Sequence, residues 1–325
     1  MALLAMKTLA TLKVISKVER NFMVDVLIIG GGPAGMGVAL NLLRSGRSVL
    51  ILEKEAFGGQ MATSPRIENI PGIKSISGME YSDQLFEQIT ELGAEFELGE
   101  VAKIRKDENG IFQVTTSFDT YEAKSVVIAT GCSHRQMGLP KEDKLVGRGI
   151  SYCAVCDGAF YKGKEVSIIG DANTALQYAL LLSNYCTKVH MYCLFDRLFA
   201  DQILIDRVLS NDKIDIKYEM NLIEFLGTDE LEGLVFHSNH DNQDYTFKTE
   251  AVFVAIGQVP HNEPFKDIVN LSEKGFIITD NSMGTREPGI FAIGDCREKG
   301  VRQVITALGD ASVAAVSVDK YLRSL

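Results

Sequence analysis

The sequence predicts an α/β protein built from two nucleotide-binding-type units, the second inserted into the first. Three observations carry that prediction. A strand, a glycine turn, a helix and a second strand occur in that order twice, at 24–53 and again from 164. Each copy is followed by short β-rich pieces with a similar ending, "IATG" at 128–131 and "VAIG" at 254–257. A late strand, "GIFAIGDC" (289–296), and a long terminal helix then return to the first unit. Such an internal duplication is the mark of Rossmann-like, three-layer ββα domains. At 325 residues the chain is long enough for two of them.

In chain order, residues 1–22 come first. Lys7, Lys13 and Lys17 interrupt every apolar run there, which makes a poor secretory signal. Four basic residues against one acid leave a transit peptide open, and an appended, dispensable extension is the preferred reading. "VDVLIIGGGPAG" then supplies a strand and its turn, "MGVALNLLRSG" a helix closed by glycine, and "RSVLILE" a second strand. Residues 79–93 read as a helix, and 94–131 as short β-rich pieces ending in "AKSVVIATG". Past a "GLP" turn at 138–140, the second copy runs "KEVSIIG" (164–170), the helix "TALQYALLLSNY" and the strand "KVHMYCLF". Short β-rich segments follow from 214 to 256. The expected domains are 23–134 joined with 259–325, and an inserted unit at 135–258.

Composition narrows the function classes. With 46% hydrophobic and 23% charged residues, 7 prolines and no low-complexity tract, the chain is of the soluble α/β kind. A net charge of −10 argues against nucleic acid, whose phosphates need a basic footprint. No run of about 18 apolar residues points to a membrane span. Six cysteines, at 132, 153, 156, 186, 193 and 296, include a single close pair. That is too sparse for a disulfide scaffold and fits a reducing, cytoplasmic compartment, where a lone CxxC is a working redox pair. A structural zinc site would need a second ligand pair, and the sequence offers no second CxxC or spaced histidines. No metal site is expected.

Gly30, Gly32 and Gly35 meet the G-x-G-x-x-G spacing directly after an apolar strand. The first permits a tight turn, the second lets backbone approach a pyrophosphate, and the third lets helix pack on strand. Glu53 closes the second strand, where a carboxylate accepts from ribose hydroxyls. A glycine-rich turn with no ligand is the plain alternative.

"GGGPAG", "GGQM" (58–61), "IENIPG" (67–72), "IATG", "FAIGDC" (291–296) and "RQVITALGDA" (302–311) resemble the FAD domain of the low-molecular-weight thioredoxin reductases. The likeness runs from Val24 to the C-terminus. It implies FAD as cofactor, with contacts at Gly30, Gly32, Pro33, Ala34, Gly35, Glu53, Lys54, Gly59, Gln60, Asn69, Val101, Thr130, Gly131, Gly294, Asp295, Arg302, Gln303 and Val304. By resemblance, Asp295 hydrogen-bonds the ribityl–pyrophosphate part and Gln60 and Asn69 lie near the isoalloxazine. Gln303 and Val304 touch its pyrimidine edge, where a helix N-terminus stabilises a reduced flavin anion. Val301 departs from the family, whose members often carry an aromatic residue there.

"SYCAVCDGAFY" places Cys153 and Cys156 in a C-x-x-C with Asp157 next to it. Two intervening residues allow a disulfide that opens and closes at little backbone cost. Asp157 offers a proton relay, because dithiol exchange moves protons with electrons. A buried structural disulfide is the competing reading. By resemblance, Cys156 faces the flavin, Cys153 attacks the disulfide of thioredoxin, and Asp157 is the acid–base. Cys186 and Cys193 read as core, and Cys132 and Cys296 receive no catalytic role.

The second turn, "IIGDANTA" (168–175), departs from the pattern. NADPH-dependent relatives carry G-x-G-x-x-A here and a His-Arg-Arg-x-x-x-Arg segment after the second strand. Ala172 puts a methyl where a pyrophosphate needs bare backbone. Asp171 adds a carboxylate that, at about 5 Å and an effective dielectric near 20, costs about 3 kcal/mol per phosphate charge before screening. Leu194, Phe195 and Phe199 replace the arginines. An NAD site would instead want an acid where "KVHMYCLF" offers Tyr192 and Cys193. NADP(H) is therefore not an expected ligand. The pattern resembles the ferredoxin-dependent flavin thioredoxin reductases, in which ferredoxin supplies electrons singly and flavin pairs them for the disulfide. Ferredoxin is usually acidic, so docking would need a basic patch, for which Lys141, Lys144, Arg148, Lys162 and Lys164 are candidates. The expected partners are thioredoxin, ferredoxin and a second copy of the chain in a homodimer. An NAD(P)H-fed reductase, a flavin dithiol oxidase and a redox-sensing flavoprotein stay open as alternatives. A peroxide-reductase flavoprotein would need a thioredoxin-like domain ahead of the first strand.

Overall fold

Val26 and Ile28 face one side of the first strand and Leu27 and Ile29 the other, and all four are buried. A strand apolar on both faces belongs in the middle of a covered sheet. The computed structural model describes residues 23–64 and 67–325, so the N-terminal extension lies outside the described residues. In it, β1 (Val24–Ile29), β2 (Val49–Glu53), β3 (Glu95–Leu98), β4 (Val101–Lys106), β5 (Phe112–Thr116) and β6 (Thr120–Ile128) share one sheet in the order β3-β2-β1-β6-β5-β4. β6 serves twice. Its start, Thr120–Ala123, pairs antiparallel with β5, while Ala123–Ile128 runs parallel to β1. The β4–β5 hairpin thus becomes a second β layer, where Val101, Ile104, Phe112 and Val114 pack with Leu27 and Ile29. The helices Pro33–Arg44 and Val304–Leu322 cover the opposite face with Met36, Leu42, Ala311 and Val318.

Entry to the second unit is through β7 (Cys132–His134), followed by β8 (Ile150–Ser151), β9 (Glu165–Ile169), β10 (Lys188–Tyr192) and β11 (Ile214–Lys217). An antiparallel ribbon of β12 (Met220–Leu226), β13 (Gly233–Ser238) and β14 (Gln243–Lys248) precedes β15 (Val252–Val254). The parallel sheet has the order β11-β10-β9-β15-β8. The helix Asn173–Ser183 packs on one face through Leu176, Ala179 and Leu182, and the ribbon packs on the other through Leu222, Phe225 and Phe236. β16 (Gln258–Pro260) leaves antiparallel to β7, and β17 (Ile290–Ala292) joins β6 in the first sheet. Counting from the outer strand, β3-β2-β1-β6-β17 and β11-β10-β9-β15-β8 are the same arrangement. Two Rossmann-like α/β domains are present.

Local chemistry adjusts the expected boundaries. The helix expected at 79–93 spans Gly78–Glu91, because the Ser77 hydroxyl accepts the Glu80 N–H at 3.1 Å and caps it. "GIFAIGDC" is a strand only to Ala292, since Gly294 at φ 72° turns the chain into a short 3₁₀ segment, Gly294–Cys296. No described helix is long and apolar enough to cross a membrane.

Candidate functional site

The first turn leaves β1 at Gly30, whose φ of 108° and contact with Ala129 exclude a side chain. Gly35 lies against the Gly30 carbonyl for the same steric reason, while a Cβ at Gly32 would meet nothing within 4 Å. Space beside Gly32 is what a phosphate needs. Pro33 begins the helix, and Ala34 lies against Gly294. Gly59 approaches Gly32 from the loop after β2. Glu53 is more committed than expected. Its Oε2 accepts the Gly31 N–H at 2.7 Å and its Oε1 accepts the Glu55 N–H at 2.9 Å, so the acid also builds the turn.

Asp295 follows Gly294 and carries the buried side-chain oxygen, Oδ1, that has no partner among the described residues. Burial pushes its carboxyl up to about 6, against the pull of Lys299 and Arg302. An orphaned, desolvated carboxylate is costly unless a donor arrives. A ribityl or ribose hydroxyl is such a donor, so Asp295, the open Gly32 and the helix start fit a dinucleotide-type flavin. Gln303 caps the terminal helix, its N–H donating to the Thr306 hydroxyl at 3.2 Å, and Val304 is the first helical residue. Gln60 Nε2 donates to the Cys132 carbonyl. Thr130 and Gly131 follow β6, with the Thr130 hydroxyl 3.4 Å from the Asn262 side-chain oxygen.

Four expected contacts are placed differently from the rest. Arg302 lies over the Phe276 ring at 4.1 Å and donates to the carbonyls of Asp295, Arg297 and Lys299, so its guanidinium orders the loop. Lys54 is exposed and pairs with Glu55 at 3.2 Å. Val101 points into the core, leaving only its backbone for a ligand. Asn69 is exposed on its loop.

Cys153 and Cys156 form a disulfide, and both residues are half-buried. Cys153 caps the short helix Ala154–Asp157, and the Cys156 N–H donates to its sulfur at 3.2 Å. Burial raises the Asp157 carboxyl above its ordinary value, and a hydrogen bond from Ser151 opposes that rise. The other thiols are buried, with Cys132 and Cys193 pushed up to about 12 and Cys296 to about 11, chiefly by burial. Burial thus favours the protonated thiol at each of them, the form that is not the nucleophile.

The second turn repeats the first in backbone and not in side chains. Gly170 has φ 143° and its N–H donates to the Tyr192 carbonyl, as Gly30 does to Leu52. Ala172 (φ −108°, ψ 179°) is extended like Gly32 (φ −76°, ψ −175°), a conformation open to any residue, so the fold survives the substitution. Phe199 N–H donates to the Asp171 carbonyl as Gly58 does to Gly31. Sheet register puts Cys193 in the place of Glu53. Four residues of the first cradle, Gly31, Gly32, Glu53 and Gly58, thus become Asp171, Ala172, Cys193 and Phe199. Burial raises the Asp171 carboxyl. Phe195 and Phe199, about half exposed, meet edge to face at 5.2 Å, with Arg197 over Phe199 at 5.0 Å.

Sequence reasoning missed Ser151, whose hydroxyl donates to Asp157, and Asp310, which gathers Arg297 and Lys299. A hydroxyl residue two positions before the first cysteine was the available signal for Ser151. Asp310 stood inside the quoted "RQVITALGDA".

Paired Rossmann-like units, one bearing a disulfide between cysteines three positions apart with an acid beside it, define a pyridine nucleotide-disulphide oxidoreductase, and the model of that family matches residues 24–311. A thioredoxin reductase of Bacillus subtilis is 39% identical over 302 residues, covering 93% of this chain and 95% of its own. The 34.2 kDa protein in the rubredoxin operon of Clostridium pasteurianum is 35% identical over 300 residues, 92% of this chain and 97% of its own. Among solved structures, a thioredoxin reductase from Streptococcus pyogenes superposes with a TM-score of 0.89 at 40% identity, covering 93% of this chain and 99% of that one. The chain belongs to the low-molecular-weight thioredoxin reductases within that family, and membership implies FAD as the cofactor.

Proposed function

We propose that the chain is an FAD-dependent thioredoxin-disulfide reductase whose electrons come from reduced ferredoxin and not from NADPH or NADH. One comparison carries the donor assignment: the second turn keeps the backbone of the first and exchanges Gly31, Gly32, Glu53 and Gly58 for Asp171, Ala172, Cys193 and Phe199. Ala172 and Phe199 add side chains where the first turn has bare glycine, Asp171 adds a negative charge beside the phosphate position, and Cys193 offers no carboxylate to an NAD ribose. When bound, FAD supplies the coupling of single-electron to paired-electron chemistry that a disulfide lacks. Asp295 would hold its ribityl part, Gly32 its pyrophosphate, and the start of the helix Val304–Leu322 its pyrimidine edge.

In the exchange with thioredoxin, Cys153 attacks one sulfur of the partner's disulfide, that S–S bond breaks, and a mixed disulfide forms. Cys156 then attacks Cys153 and releases the second partner sulfur. Two electrons pass to the partner and its two thiolates gain protons, Asp157 relaying one. The Cys156 N–H aimed at the Cys153 sulfur favours a thiolate there, which supports Cys153 as the attacking group. The inserted unit is taken as 135–258, entered and left through β7 and β16. Exposed Val313 and Val316 on the terminal helix support a homodimer.

The test is an anaerobic titration of the oxidised holoprotein with NADPH, NADH and reduced ferredoxin, following flavin absorbance before thioredoxin is added. Ferredoxin is expected to bleach the flavin, and thioredoxin to restore it. Rapid bleaching by NADPH would overturn the donor assignment, and fast oxygen uptake with a small dithiol would point to an oxidase.

A further inference from the structure

Ser151 is a buried polar residue at the end of β8, in register with Phe253 of β15. A hydroxyl there costs stability unless it is hydrogen-bonded. Its bonds all lead out of the sheet and into the redox loop. Ser151 Oγ accepts the Cys153 N–H at 3.1 Å and donates to Asp157 Oδ2 at 2.6 Å, with the Cys153 carbonyl a more distant acceptor at 3.4 Å. One side chain therefore joins the residue that opens the C-x-x-C to the acid that follows it.

We propose that Ser151 is a positioning residue for the dithiol exchange, fixing the Asp157 carboxylate relative to Cys153 and setting how readily that carboxylate gives up its proton. This rests on Asp157 being the acid–base of the pair. Hydroxyl donation stabilises the ionised carboxylate and so works against burial, which favours the protonated one. Two phenols lie within electrostatic reach of Asp157: Tyr161 from the 3₁₀ turn Gly158–Tyr161, and Tyr178 from the helix Asn173–Ser183, whose hydroxyl donates to the Tyr152 carbonyl at 3.2 Å. Both are themselves raised, mainly by burial, and stay neutral through the working range. Ser151 is then the group that keeps the acid from being held protonated too tightly to act as a relay.

The experiment compares the full chain, loaded with FAD, with its Ser151→Ala, Ser151→Thr, Ser151→Val and Asp157→Asn variants. Each is reduced with limiting dithionite and mixed with oxidised thioredoxin across pH, and the exchange rate and its dependence on thioredoxin concentration are recorded. Asp157 serves as an acid while protonated, so the rate falls as pH rises through its pKa. Loss of the donor in Ser151→Ala is expected to move that alkaline limb up by about one pH unit. The thioredoxin concentration for half-maximal rate should stay within about twofold, because Ser151 is buried. Threonine and valine have the same shape, so wild-type behaviour in Ser151→Thr and a shifted limb in Ser151→Val would isolate the hydroxyl even if alanine disturbs folding. An unshifted limb in Ser151→Ala and Ser151→Val, with the limb abolished in Asp157→Asn, would overturn the role of Ser151 alone. An unchanged limb in Asp157→Asn would overturn the role of Asp157 on which it rests.

Discussion

Asp295 combines a desolvated charge with an oxygen that no described side chain or backbone group satisfies. Burial lifts its carboxyl to about 6, so near neutral pH it is ionised and in need of a donor. A flavin hydroxyl that supplies one binds the ionised form more tightly. Flavin affinity is therefore expected to weaken as pH falls through about 6. Asp295→Asn keeps the shape but loses the charge-assisted bond, for an expected loss of about 10- to 100-fold in affinity. It should also flatten the acid dependence. Flavin fluorescence quenching by the apoprotein on either side of that pH checks both, and an asparagine variant with wild-type affinity and pH dependence would remove Asp295 from the site.

At the scale of elements, what was legible followed from backbone constraints that fall at fixed spacing. Gly30 and Gly170 sit where no side chain fits, and strand, turn and helix must follow one another within a few residues, so both copies could be read directly. Partners distant in sequence could not. Glu53 was read as a ribose acceptor, yet it also accepts the Gly31 N–H, and the Arg302 guanidinium is held by loop carbonyls. Asp310 is the same lesson on the terminal helix. Its carboxylate accepts from Gly294 N–H at 3.0 Å, Arg297 Nε at 3.0 Å and Lys299 Nζ at 2.8 Å, fastening the helix Val304–Leu322 to the turn after β17. Burial alone would raise its carboxyl, but Arg297 and Lys299 more than offset this and hold it below the usual range. A depressed folded pKa gives stability that is present above the unfolded value, near 4, and lost as pH falls through the folded one. Asp310→Asn removes the carboxylate that pairs two little-exposed cations, Arg297 and Lys299, leaving Lys299 only the more distant Asp295 charge, and is expected to cost about 3 kcal/mol at neutral pH. Urea midpoints should show that gap and show it closing in acid; equal midpoints at neutral pH would mean the cluster is not holding the helix.

At the scale of the whole molecule, charge decides how an acidic electron donor approaches. The chain carries −10, and the donor proposed above, a ferredoxin, belongs to a usually acidic class. Three of the five cations considered for a docking patch are already paired: Lys141 with Glu224 and Lys144 with Asp229 at 3.2 Å, and Lys164 with Glu250 at 2.7 Å. Arg148 and Lys162 are exposed and have no acidic partner among the described residues. Two free cations are a small local field beside an overall negative one, so repulsion should dominate until salt screens it. The Debye length shrinks from about 30 Å at 0.01 M to about 8 Å at 0.15 M. The second-order rate of flavin reduction by ferredoxin is therefore expected to rise severalfold over that range, opposite to a pair steered by complementary charge. Glu224→Gln with Glu250→Gln frees Lys141 and Lys164 and should speed the low-salt reaction while barely changing the rate at high salt. A wild-type rate that instead falls with salt would mean that Arg148 and Lys162 outweigh the net charge at the point of contact.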